Sequence, residues 1–203
     1  MITEEMLENL IPLNDFPEYD ICDLSAIHDR DSFIDNHGIF GLPCKEFFEY
    51  IVSNYGDYKT VYDIGCGCGY LSYGLKKTNP DLNVIAVDNF KSSYRYKSSY
   101  RYKYLNEFRL WHPIIDNVDF KSIKNSLVIT NWCGYQSHLA YNIARSLFKT
   151  NKLIYIGEHQ GGCTASDKLF DNFAVNEIPA PWFSWKFIYD QVFEVVLKRI
   201  NIK

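Results

Sequence analysis

The chain has 203 residues, 47% of them apolar and 23% charged, with a net charge of −4. That length and balance suit one globular core and exclude a disordered tail, a fibrous repeat or a small disulfide scaffold. No apolar run approaches the ~18 residues of a membrane-spanning helix.

The first 35 residues carry a net −9, ten acids standing against Arg30 alone. Residues 1–50 read as a partly helical, acidic lead within a single 1–203 domain, not as a second domain. The opening "MITEEMLENL" lacks the basic and apolar regions of a secretory signal. The six cysteines, Cys22, Cys44, Cys66, Cys68, Cys133 and Cys163, are spread through strand-like and loop-like stretches. Reduced thiols and a cytoplasmic location are therefore expected.

From residue 60 the chain alternates short apolar strands with amphipathic stretches. "TVYDIGC" (60–66) and "NVIAVD" (83–88) are rich in β-branched residues and end in polar ones, as buried parallel strands do. "SLVITNW" (126–132) and "KLIYIGE" (152–158) repeat that form, and a further strand is expected near 112–115. Helical spacing occupies "YLSYGLKKT", "SHLAYNIARSLFKT" and "ASDKLFDNF" between and after them. "VFEVVLKRI" alternates in part, which predicts a late antiparallel edge strand. The class this predicts is α/β: a mostly parallel sheet covered on both faces.

In such sheets ligands bind beyond the carboxyl ends of the strands. The first of these ends is "DIGCGCGY", with Asp63 followed by Gly65, Gly67 and Gly69. Glycines there let the backbone turn tightly and come close to a ligand. The second strand ends in Asp88-Asn89, where a carboxylate can accept ribose hydroxyl protons. A dinucleotide fingerprint would place a third small residue at position 70, where this chain has Tyr70. An NAD-dependent oxidoreductase is disfavoured on that ground. Cys66 and Cys68 form C-x-C without partners at ligand spacing, so no metal is expected.

The spacing D-x-G-x-G-x-G resembles the first motif of class I S-adenosylmethionine-dependent methyltransferases, over roughly residues 36–200. The resemblance implies a Rossmann-like fold and S-adenosyl-L-methionine as cofactor. It assigns Asp63, Gly65, Cys66, Gly67 and Gly69 to the methionine end, and Asp88 with Asn89 to the ribose, with Asn131 nearby. "WHP" (111–113), "LVITNWCGY" (127–135) and "YIGEHQGGCT" (155–164) are further similar to an uncharacterised methyltransferase-like group that carries WPPY and GE-x-x-GGCT. Both prolines are replaced here, by Cys133 and Gly134. The [N/D]-P-P-[Y/F/W] turn marks amino-group methyltransferases, so by resemblance Asn131 and Tyr135 hold an acceptor nitrogen, with Trp132 disturbing the register. Glu158 and His159 are either a general base pair at the catalytic edge or hydrogen-bonded struts of the "GEHQGG" turn. Cys163 is either a nucleophile or, as favoured, buried beside Thr164, which with Asp167 resembles a helix-capping box.

"KSSYRYKSSYRYKY" (91–104) is a six-residue unit written twice and begun a third time, with five cations, five tyrosines and no acid. Such interleaving suits single-stranded nucleic acid. The favoured reading is nevertheless a basic flap beside the cofactor or a packed helix, since the −9 lead can neutralise the island internally. The function implied is methyl transfer to an unidentified acceptor, with a nucleobase amino group or RNA among the options. The alternative is a fold relative that has lost catalysis and acts as an interaction partner.

Overall fold

The computed structural model describes residues 2–19, 24–90 and 106–199. The 91–104 repeat and Cys22 lie outside the described residues, and so does the flap expected of that repeat.

Seven strands form one sheet: β1 (Thr60–Ile64), β2 (Asn83–Val87), β3 (Ile114–Ile115), β4 (Leu127–Asn131), β5 (Lys152–Gly157), β6 (Phe173–Glu177) and β7 (Gln191–Arg199). Their spatial order is β3-β2-β1-β4-β5-β7-β6. Strands β3, β2, β1, β4 and β5 run parallel, and β7 pairs antiparallel with both β5 and β6. The chain has the Rossmann-like class I methyltransferase fold, with its topological switch between β1 and β4. The late antiparallel strand is present, one place in from the edge. The edge is β6, which the sequence reading did not anticipate: its helical stretch ended at Phe173, and "FAVNE" buries only that residue fully.

Among the described residues, six α-helices cover the sheet: α1 (Glu4–Asn9), α2 (Ser25–His37), α3 (Lys45–Asn54), α4 (Tyr70–Thr78), α5 (Leu139–Ser146) and α6 (Asp167–Asn172). Strand alternation decides which face each residue serves. Leu127 and Ile129 of β4 join Ile154 and Ile156 of β5 in one core, with Phe47, Phe48 and Leu75 from α3 and α4. Val128, Leu153 and Tyr155 point the other way, to Ala140, Ile143 and Leu169 from α5 and α6. Each such aliphatic side chain contributes about 1.5–3 kcal/mol by leaving water, so β4 and β5, apolar on both faces, anchor the sheet.

The acidic lead belongs to the first core. Leu7, Ile11, Phe16, Phe33 and Leu42 are all buried in it. Its charges find a partner just beyond the repeat: the Arg109 guanidinium donates to Glu8 at 2.5 Å and stacks over Trp111 at 4.1 Å. Tyr70 and Tyr73 pack their rings 5.2 Å from Trp111, and the Tyr70 hydroxyl donates to the Leu7 carbonyl. No helix among the described residues is long and apolar enough to cross a membrane.

Candidate active site

The parallel register brings the chemistry-bearing ends of β1, β2 and β4 to one height. Ile64 lies beside Val87 and Asp63 beside Ile129, and Asn131 ends β4 opposite Ile156. Beyond those ends opens a cavity of about 890 Å³, within the range of small-molecule sites.

The glycine run forms its floor. Gly65 and Gly67 have φ of +79° and +53°, in the left-handed region that side chains other than glycine's rarely adopt. The Gly65 and Cys66 amides both donate to the Val87 carbonyl, at 2.8 and 3.3 Å. The Gly67 amide donates to Asp88 Oδ2 at 2.9 Å, and the Phe90 amide to Asp88 Oδ1 at 2.6 Å. One carboxylate thus ties the end of β2 to the turn after β1, and each oxygen keeps a lone pair for a further donor. Burial raises the pKa of Asp88, and the Phe90 and Gly67 amides pull against that shift.

Asp63 is fully buried beneath this turn. Its Oδ2 accepts from the Ser72 hydroxyl at 2.7 Å, while its Oδ1 has no partner among the described residues. Burial pushes its pKa up to about 7; the Ser72 hydrogen bond opposes this, and the nearby Asp88 charge adds to it. A raised pKa means that the folded protein holds a proton which the unfolded chain has already released. The contribution of Asp63 to stability is therefore complete below about pH 4 and disappears as pH rises to about 7. Asp63→Asn, permanently neutral, should show a flatter stability profile than the wild type across that window in denaturant unfolding. Parallel profiles would mean that Asp63 is ionised throughout.

Asp63, Gly65, Cys66, Gly67, Asp88, Asn89 and Asn131 all line the cavity, as do Trp132 and Tyr135. Gly69 does not. At φ +79° it begins α4 and sits against the "WHP" segment, where a Cβ would come within 3.2 Å of His112 Cβ. That segment is a strap over the glycine turn, with the Trp111 amide donating to the Cys68 carbonyl at 2.9 Å and His112 Nε2 lying 3.3 Å from the Val84 carbonyl.

The turn after β4 departs from the proline pattern in a defined way. Trp132 takes φ +51°, its amide donates to the Ile156 carbonyl, and its indole donates to Asp190 Oδ2 at 2.8 Å. Asp190, itself buried, also accepts from the Trp182 indole at 3.0 Å and from the Ser184 hydroxyl. Cys133 turns inward, buried against Thr130. Asn131 donates through Nδ2 to the Gly41 carbonyl at 3.0 Å, and its buried Oδ1 has no partner among the described residues.

Glu158 and His159 do not line the cavity. Glu158 is buried and accepts two backbone protons, from Cys163 at one oxygen and from Tyr189 at the other, 3.3 Å away. The imidazole of His159 packs at 5.1 Å from Phe170. Glu158 thus makes the hydrogen bonds of a strut, whereas His159 meets its neighbours through ring packing. Thr164 does not cap α6, whose N-cap is Ser166. It closes a ring instead: the Glu158 amide donates to Thr164 Oγ1, the Tyr155 hydroxyl to the Glu158 carbonyl, and so the Thr164 hydroxyl must donate to Tyr155. Cys163, expected to be buried, is exposed at the cavity rim. Glu158→Ala leaves two backbone amides without acceptors and should lower unfolding stability by about 2–3 kcal/mol. An unchanged denaturation midpoint would return Glu158 to the list of catalytic candidates.

Sequence reasoning missed Arg30, Phe40 and Gly41 from the lead, Asp116 and Asn117 after β3, and Gly161 and Gly162, all of which line the cavity. Only Asp116-Asn117, a polar pair directly after a strand, carried a local signal. Among the described residues no three His, Cys, Asp or Glu side chains gather as a metal site.

Comparison with known proteins gives a likeness of fold. No family model matches the chain, and no curated protein matches it. Solved structures do. They include LaPhzM (17% identity, 77% of this chain and 55% of that one, TM-score 0.45). Two others are the mitomycin 7-O-methyltransferase MmcR (13%, 77% and 53%, 0.44) and human N-acetylserotonin methyltransferase, solved with S-adenosylmethionine (10%, 85% and 54%, 0.42). The chain spans about half the length of these three proteins.

Proposed function

We propose that the chain is an S-adenosylmethionine-dependent methyltransferase acting on an acceptor held beside Asn131. The observation that carries this reading is that the left-handed glycine turn, Asp88 bonded to that turn, and the residues Asp63 and Asn131 all line one cavity. The residues fit the cofactor. Asp88 retains lone pairs for ribose hydroxyls, the backbone at 65–67 is open to close approach, and the buried Asp63 carboxyl lies beneath the turn near the methionine end. Asp116 and Asn117 extend the polar wall past β3. When bound, S-adenosylmethionine supplies an already electrophilic methyl group, so the protein's share is to hold the acceptor in line and exclude water.

Asn131 would take the proton of an acceptor N–H or O–H on its side-chain oxygen, from a position held by the bond of Nδ2 to the Gly41 carbonyl. Gly41 has no room for a side chain: a Cβ would lie 2.4 Å from both Asn131 Oδ1 and Trp132 Cδ1. Tyr135, exposed at the rim, offers an aromatic wall. A nucleobase amino group or RNA stays among the acceptors this reading admits, with the 91–104 segment as a secondary polyanion contact. Tyr70 argues against NAD, because the position that a dinucleotide turn keeps small carries a ring buried in the core.

Thermal-shift measurement with S-adenosylmethionine, S-adenosylhomocysteine and NAD tests the proposal, since a ligand bound only by the native state raises its stability by mass action. The first two should raise the midpoint and NAD should not. No shift with any of them favours the interaction-partner alternative, and a shift with NAD alone favours the oxidoreductase.

A further inference from the structure

The cavity is electrically divided. Asp63, Asp88 and Asp116 line its cofactor half, and Arg30 is the only cationic side chain among the described residues that line it. Arg30 projects from the middle of α2 with its side chain only 16% exposed. Its guanidinium lies 5.0 Å over the Trp132 ring, and its buried Nε has no hydrogen-bond partner among the described residues. The ion pair it makes is with Asp31, next in sequence: 3.4 Å from a carboxylate that is itself 65% exposed and therefore well screened. A largely covered guanidinium with an unsatisfied donor is costly unless something anionic completes it. Among the described residues that line the cavity, no carboxylate is paired with it.

We propose that Arg30 is the anion subsite of the acceptor, and that the acceptor is a small molecule bearing a carboxylate. This rests on the methyltransferase reading above, which makes the Asn131–Tyr135 side the acceptor end. Guanidinium geometry matches a planar two-oxygen anion. The one cation among the described residues that line the cavity matches a single negative charge better than the nearly two of a phosphate monoester. Arg30 and Asn131 both line the cavity beside Trp132. Together they define a ligand with its anionic group on Arg30 and a transferable N–H or O–H on Asn131. Phe40, Trp132 and Tyr135 give the same cavity aromatic walls, with Trp132 against the guanidinium, which suits an enclosed ring better than a polynucleotide backbone needing repeated cations.

The test uses the whole chain saturated with S-adenosylhomocysteine and titrated with benzoate, benzamide, inorganic phosphate and a short single-stranded RNA, followed by ligand-observed NMR. Benzoate should bind at least about tenfold more tightly than benzamide, the difference expected of a hydrogen bond to a charged group. Arg30→Met should erase that preference, Arg30→Lys should keep part of it, and S-adenosylhomocysteine affinity should stay unchanged in both. Equal binding of benzoate and benzamide, Arg30-independent benzoate binding, or tighter Arg30-dependent binding of phosphate or RNA would each overturn the proposal. Failure of S-adenosylhomocysteine itself to bind would strike the methyltransferase reading instead. A folded Arg30→Lys separates loss of the anion subsite from loss of structure should Arg30→Met not fold.

Discussion

Gly67→Val should abolish S-adenosylhomocysteine binding. At φ +53° the position sits where a β-branched residue is a genuine outlier, so the turn must either strain by about 1–3 kcal/mol or rearrange. Rearrangement removes the Gly67 amide from Asp88 Oδ2, and with it the link between the β1 turn and the end of β2. The two sheet cores do not depend on Gly67, so the variant should still unfold cooperatively. Isothermal calorimetry on the folded variant should give no heat of binding. Normal affinity would show that the ligand does not approach this turn.

Asp88→Ala is expected to weaken the same ligand by at least about tenfold, corresponding to about 1.5–3 kcal/mol for a hydrogen bond to a charged group. Two losses coincide here: the ribose acceptor disappears, and the Gly67 and Phe90 amides lose their shared carboxylate. Asp88→Asn keeps one acceptor oxygen and should fall between alanine and the wild type. Affinity unchanged in Asp88→Ala would remove this residue from the site.

Much of this was readable along the chain because it is local. Strand alternation at 127–129 and 153–156 sorts side chains between two cores, and "DIGCGCG" followed by Asp88 marks the turn on which the site is built. Features resting on contacts between distant segments were not readable. Arg30 and Gly41 reach Trp132 and Asn131 across about a hundred residues, and nothing in "IHDRDSF" separates a cavity arginine from a surface one. Gly69 shares the spacing of its neighbours, yet it serves the start of α4 and the His112 strap. Glu158 lies at a strand end where a base is expected, but its partners Cys163 and Tyr189 become visible only in three dimensions. The short β6 was hidden because alternating burial fades after Phe173 at an edge open to water.

The most direct measurement is a crystal structure of the chain with S-adenosylhomocysteine. The account predicts the ribose hydroxyls on Asp88, the methionine end over Gly65–Gly67 near Asp63, and the sulfur facing the space beside Asn131 and Trp132. Ligand seated elsewhere, or an Asp88 carboxylate without contact to it, would contradict the account.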